Sequence, residues 1–313
     1  LGIGVVRDRL ADLLFPGTST IQTRAKYLFI VPWCMIEAEK NFKNKEDYLK
    51  RLSNIETDVI KALVKNEPSN TKGIIGKDSI GTLKRKPSEI YWNALRTYNI
   101  MPFNISRNQY ISSIKTNKNH EVEEGDDKDS NYLDNDDIRW NIIKAEKNWK
   151  DNLTLSLTKE ESEFLKEKIS RHHRNSLYSY IINNQDISLE DEDIYDLTFK
   201  NTLPEIVKSD LDLALNFGKV IHGAHIRYNI ILRQKNSVET EDYEEQWNQW
   251  CNEMSKFNWD KFNVDRIYEF AKTTKGTKEF IEGWFNAIRE LHNINLDELD
   301  KMIEAREYRL KGQ

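Results

Sequence analysis

A helix start offers unpaired backbone N–H groups, and a hydroxyl or guanidinium beside it completes a seat for an anion. The loop Pro16-Gly17-Thr18-Ser19-Thr20 runs into a segment bearing Thr23 and Arg24, which makes Thr18, Ser19, Thr20 and Arg24 anion-binding candidates. It is not a Walker loop, because no Gly-Lys-Ser/Thr follows the first glycine at the required distance. The same residues also fit a plain helix cap after a tight turn, with Arg24 paired to Asp8 or Asp12. A second cluster lies between Gly73 and Tyr98, where Lys72, Lys77, Lys84, Arg85, Lys86 and Arg96 accompany two short helical patterns. That arrangement suits a helix-turn-helix laid against phosphates, with Tyr91 and Trp92 stacking on exposed bases of a single strand. Alternatively, the aromatics fill a core and the lysines are a solvated face.

His222 and His225 stand three apart, so on a helix they share a face and form the candidate catalytic pair. No carboxylates nearby complete a metal site, no metal is expected, and buried histidines bonded to backbone or to Tyr228 are the plainer reading. His172 and His173, flanked by Arg171 and Arg174, read as a basic helix surface. A nucleophile elbow, a dinucleotide fingerprint and a kinase-like set are all absent, as is a carboxylate cluster with lysine. That leans away from an enzyme, and no cofactor is implied.

The elements that must carry these residues read as helices throughout. Arg7 to Phe15 places Leu10, Leu13 and Leu14 at helical spacing before Pro16 and Gly17 break it. Thr18, Ser19 and Thr20 would then cap a helix with Ile21, Ala25, Leu28 and Phe29 on one face, ending near Val31 ahead of Pro32. A further helix starts near Trp33. Another spans Lys45 to Lys65 with Tyr48, Leu49, Leu52, Ile55, Val59, Ile60 and Leu63 as its buried stripe. Gly73, Gly76 and Gly81 fit a compact turn of helix, and Pro87 with Ser88 opens an amphipathic helix over Ile90 to Tyr98. Thr158 and Glu161 have capping-box spacing, Leu177 to Ile182 is apolar, and Leu203 to Gln234 is two helices or one bent at Gly218 and Gly223. No alternating strand pattern and no repeat is visible.

Composition sets the outer bounds. Of 313 residues, 38% are hydrophobic, 11% aromatic and 32% charged, as in a folded chain with a heavily charged surface. No apolar run nears the roughly 20 residues that span a bilayer, so membrane insertion is not expected. Cys34 and Cys251 are far apart and follow no signal-peptide pattern, which points to reduced thiols, a cytoplasmic location and no cysteine-based zinc site. The net charge of −5 is uneven: residues 1–110 hold 18 Lys and Arg against 11 Asp and Glu, and the remainder 29 against 41. Residues 116–137 carry nine acidic and two basic side chains with no periodicity, a mobile acidic loop or linker. The expected organisation is an all-α, irregular multi-helix globule. Its parts are a basic N-terminal region over 1–115, the loop over 116–137 and a helical C-terminal region over 138–313 packing on the first.

Six stretches carry a family resemblance. Leu1 to Asp12 (LGIGVVRDRLAD), Leu13 to Tyr27 (LLFPGTSTIQTRAKY) and Phe29 to Trp33 (FIVPW) resemble the opening of a bacterial family of unknown function, domain-of-unknown-function family 6361. Gly73 to Gly81 (GIIGKDSIG), Pro87 to Arg96 (PSEIYWNALR) and His222 to Asn229 (HGAHIRYN) are similar to its later segments. The likeness is densest over 1–110. Cys34 and Met35 stand where members have aromatic or aliphatic residues, which touches no assigned role. Members extend ahead of the position of Leu1, implying a truncated start here. The resemblance implies a bacterial protein and a phage-defence setting near helicase and phospholipase D-like nuclease genes, but no particular chemistry. Together with the charge distribution, it leads to a non-catalytic nucleic-acid-binding or complex-assembly component, with nucleic acid at the N-terminal basic region or a protein of a defence complex as partner. The alternatives are a metal-dependent hydrolase or nuclease using His222 and His225, and a protein-only scaffold.

Overall fold

A computed structural model of the chain describes residues 1–40, 42–114, 140–184, 186–187, 193–289 and 295–312. The acidic segment expected as a loop over 116–137 lies outside the described residues, within which every regular element is helical. They form two compact units, Leu1–Phe15 with Asn175–Gln313, and Pro16–Arg174.

The Pro16–Arg174 unit holds α2 (Tyr27–Ala38), α3 (Lys45–Asn66), α4 (Pro87–Ile90), α5 (Trp92–Thr97), α6 (Arg107–Ser113) and α7 (Lys159–His172). Helix α2 begins later than its periodicity predicts and runs through Pro32 instead of stopping ahead of it, absorbing the separate helix expected from Trp33. Pro32 forfeits one backbone bond, a cost of about 3 kcal/mol. Every residue from Tyr27 to Met35 is buried, and each large apolar side chain so buried contributes about 1.5–3 kcal/mol, so packing wins. An amphipathic pattern was never available to such a helix, because it is covered on every side.

Helix α3 follows its sequence closely. Asn44 caps it by accepting the Asp47 N–H at 2.9 Å, and the expected stripe is buried except for Leu49, which is 37% exposed. Thr158 and Glu161 form the anticipated capping box at the start of α7. Glu161 does more than cap, since its carboxylate also accepts both of its short bonds from the Lys26 ammonium, at 2.6 and 2.7 Å, with both side chains buried. That pair ties the segment before α2 to the first turn of α7.

The other unit holds α1 (Gly4–Leu14), α8 (Leu177–Asn183), α9 (Glu205–Lys235), α10 (Glu241–Met254), α11 (Asp265–Phe270), α12 (Lys275–Arg289) and α13 (Leu296–Lys311). Helix α9 is a single 31-residue element, neither divided nor replaced by two helices. Val6 and Leu10 of α1, Phe217, Val220 and Ala224 of α9, Trp250, Trp284 and Ile303 share one core. Two indoles fix the middle of α9: Trp250 donates to the Lys219 carbonyl at 2.8 Å and Trp284 to that of Val220 at 3.0 Å. Gly223 makes room for the first, because a Cβ there would fall 2.5 Å from the Trp250 ring. A smaller cluster gathers Leu14, Leu177, Leu203, Val207, Leu211 and Leu215. No described helix is long and apolar enough to cross a membrane.

Removing one member of a buried ion pair strands the other charge, at a cost of about 3–5 kcal/mol. Lys26→Met and Glu161→Gln are each expected to lower the free energy of unfolding by that amount, while the double variant recovers most of the loss. Urea denaturation of the three variants measures both.

Candidate nucleic-acid interface

The segment from Thr18 to Lys26 has no regular helix, contrary to the expected cap and helix start. The chain is held there by long-range bonds instead. Gln22 donates to the carbonyls of Gly17 at 3.2 Å and Ile90 at 3.4 Å. The Tyr91 hydroxyl accepts the N–H groups of Thr23, at 2.8 Å, and Arg24, at 3.1 Å, and donates to the Arg24 carbonyl at 2.9 Å. Burial pushes the Tyr91 phenol above its ordinary value, so the proton needed for that last bond stays in place. These amides are therefore not open to an anion. Any charge recognition by this segment falls to side chains, and Thr18, Ser19, Thr20 and Arg24 are all exposed.

Residues 72–86 form turns, not the compact helical turn expected from their glycines. They are stitched to the first segment. Thr23 Oγ1 donates to the Gly73 carbonyl at 2.7 Å, Arg24 Nη2 to the Lys72 carbonyl at 3.1 Å, and the Ile75 N–H reaches the Tyr27 hydroxyl at 2.9 Å. Gly73 is required twice, since its φ is +97° and a Cβ would lie 3.1 Å from the Arg24 side chain. Arg24 is thus spent on a backbone carbonyl, and Asp8 pairs with Arg7. The two candidate clusters, some fifty positions apart, become one surface.

Within that surface the predicted cations differ in availability. Lys84 and Arg85 are exposed. Lys77 donates to the Ser69 carbonyl at 2.6 Å, and half-buried Arg96 bonds Asn104. Lys86 is half-buried, and its charge opposes the burial that pushes the Glu56 carboxyl up, alongside the Ser88 bonds and Arg107. The amphipathic helix expected over Ile90 to Tyr98 is two short ones, α4 and α5, and Tyr91 and Trp92 sit in the core, 2% and 6% exposed, out of reach of a base. A docked helix-turn-helix does not fit this geometry; a basic loop surface does.

The histidine pair lies in the other unit. His222 and His225 share a face of α9 as expected, but both are exposed instead of buried. They edge a cavity of about 360 Å³ whose walls include Leu10, Leu14, Phe217 and Ile221. Partial desolvation, with the charges of the Leu1 amino group, His222 and Arg7, holds the His225 imidazole below its ordinary value. Among the described residues no group of three His, Cys, Asp or Glu side chains is placed to hold a metal ion. A larger cavity, near 770 Å³, opens beside Trp33 and Trp149. Its three indoles, Trp33, Trp140 and Trp149, are spread over 116 positions, so no window of sequence shows it.

Tyr91→Phe removes one acceptor for two amides and one donor, and a stranded polar group costs about 1–3 kcal/mol. The variant is expected to stay folded, lose stability in that range, and exchange the Thr23 and Arg24 amides faster in hydrogen-exchange measurements.

Searches of curated proteins and of solved structures give no match to the chain. A family model, described as a family of unknown function, DUF6361, matches residues 1–312. With the match covering nearly the whole chain, this protein belongs to the DUF6361 family.

Proposed function

We propose that this chain is a non-catalytic component that binds nucleic acid through the exposed loop surface of its Pro16–Arg174 unit. The observation carrying this reading is the fusion of residues 18–24 with residues 72–86 into one surface, on which Lys84 and Arg85 are open to solvent. Hydroxyls of Thr18, Ser19 and Thr20 add donors that can reach phosphate oxygens without reading bases. The excess of basic residues over 1–110 supplies the long-range attraction. Assembly with other components of a phage-defence system is the setting we propose, as the resemblance of the opening segments implies.

Contacts to phosphates release counterions, so affinity falls with salt at a logarithmic slope of about −0.9 per neutralised phosphate on duplex DNA. Lys84→Ala with Arg85→Ala is expected to weaken duplex and single-strand binding alike and to flatten that slope by about 2. Fluorescence anisotropy at several salt concentrations reads both. An absence of binding at low salt removes the proposal and favours a protein-only scaffold.

A second reading has its own observation: His222 and His225 stand side by side on a cavity, and His225 is held toward the neutral form that ligates metals. On that reading the chain is a metal-dependent hydrolase or nuclease. His222→Ala with His225→Ala would then abolish a metal-stimulated cleavage while leaving the circular dichroism spectrum intact. Cleavage that is absent in the unaltered protein across Mg²⁺, Mn²⁺ and Zn²⁺ rules it out.

A further inference from the structure

The cavity beside Trp33 and Trp149 has an order that packing alone does not require. Trp33 forms its back wall, 8% exposed, with its indole N–H donated to the Ile143 carbonyl at 2.8 Å. Trp149 meets it edge-on, with ring centres 5.2 Å apart and planes at 63°, and is itself only half-buried. Glu37 fixes the second ring from below, accepting the Trp149 N–H at 3.2 Å and the Lys150 ammonium at 2.6 Å. Those bonds hold the exposed indole rigid, which lowers the entropy lost when a flat ligand stacks on it. Lys40, Lys144 and Lys147 are exposed on the rim beside Glu146 and Asp151, three cations against two carboxylates.

Aromatic platforms serve sugars, organic cations and nucleobases, and charge separates them. A neutral sugar has no use for the rim lysines, and an organic cation meets a rim on which lysines outnumber carboxylates three to two. A planar group carrying an anion uses both features. The volume, about 770 Å³, lies inside the range of roughly 300–1,000 Å³ usual for small-ligand sites. The Glu37 carboxylate retains lone pairs able to accept from an exocyclic amine or ring N–H.

The position of the cavity also matters. Asn66, the last residue of α3, donates to the carbonyls of Asp151 at 3.0 Å and Leu153 at 3.1 Å, anchoring the Trp149 segment where the chain departs toward the basic loop. Lys26, two residues beyond Arg24, places its ammonium 5.4 Å from the Trp33 ring centre. The cavity and the basic surface are thus neighbours within one unit.

We propose that this cavity binds a nucleotide, its base stacked on Trp149 and its phosphate met by Lys40 and Lys147. The inference rests on the nucleic-acid reading where the nucleotide belongs to a strand, and stands without it where the nucleotide is free. The test uses the full chain with a labelled single-stranded 12-mer, the blunt duplex of the same sequence, and the mononucleotides AMP and UMP. Stacking one base is worth roughly a 10-fold or greater change in affinity. Trp149→Ala is expected to weaken single-strand binding by that factor and leave the duplex within twofold, while Trp149→Phe restores most of the loss. Lys147→Glu, a surface change that leaves the fold intact, is expected to weaken single-strand or mononucleotide binding severalfold and carries the test if Trp149→Ala does not fold. Mononucleotide binding that Trp149→Ala abolishes identifies a free nucleotide as ligand; strand binding without it identifies an unpaired base. Duplex and single-strand affinities that depend on Lys84 and Arg85 but ignore Trp149 and Lys147, with no mononucleotide bound, overturn the cavity proposal and leave the basic surface standing. No binding of any of the four probes overturns both.

Discussion

Two opposite charges taken out of water must find each other or unfold the region that holds them. Lys26 and Glu161 are in that position, and three elements answer to them. The irregular stretch from Thr18 ends at Lys26, α2 begins one residue later, and α7 uses the same Glu161 to close its first turn. The Lys26 ammonium also lies against the Trp33 ring, so the charge that closes the core orients a wall of the large cavity. Apolar burial supplies the bulk of the stability, but burial has no direction. The ion pair supplies one, by permitting a single registry of the Lys26 backbone against α7.

The helical class was legible because α3 and α7 obey local rules, an amphipathic stripe and a capping box, and because α9 is a long stretch with no proline to interrupt it. Helix α2 departs from its local pattern because its signals are tertiary. Pro32 argues for a stop, Thr18 to Thr20 argue for an earlier cap, and both are overruled by burial on all sides, which no window of sequence records. The glycines at 73, 76 and 81 fit a helical turn by spacing, whereas their positive φ angles serve turns. Gly218 and Gly223 suggest bend points by type alone, yet Gly223 is a slot for an indole arriving from α10.

The candidate surface was legible in its parts and not in its assembly. Residue types at 18–24 and 77–86 pointed to anions, and the exposed Lys84 and Arg85 keep that property. Thr23 and Arg24 join the two stretches through the Gly73 and Lys72 carbonyls, and Tyr91 braces them from the core; a tyrosine in a basic segment has the same appearance whether it braces backbone or stacks on bases. The histidines erred in the opposite direction. Flanked by Gly223 and Ala224 they suggested burial, but in α9 the small residues face the core and the imidazoles face out.

Trp250 and Trp284 grip α9 at adjacent carbonyls, near its midpoint, where a helix is already fully bonded to itself. Such an arrangement sets a direction for local opening. Fraying can enter from Glu205 or from Lys235 and lose only peripheral contacts, but it halts at residues 219–220 until both indoles leave the core. The central turn is therefore the last part of this helix to yield, and protection along it is graded like a rope clamped at its middle, with slack at either end.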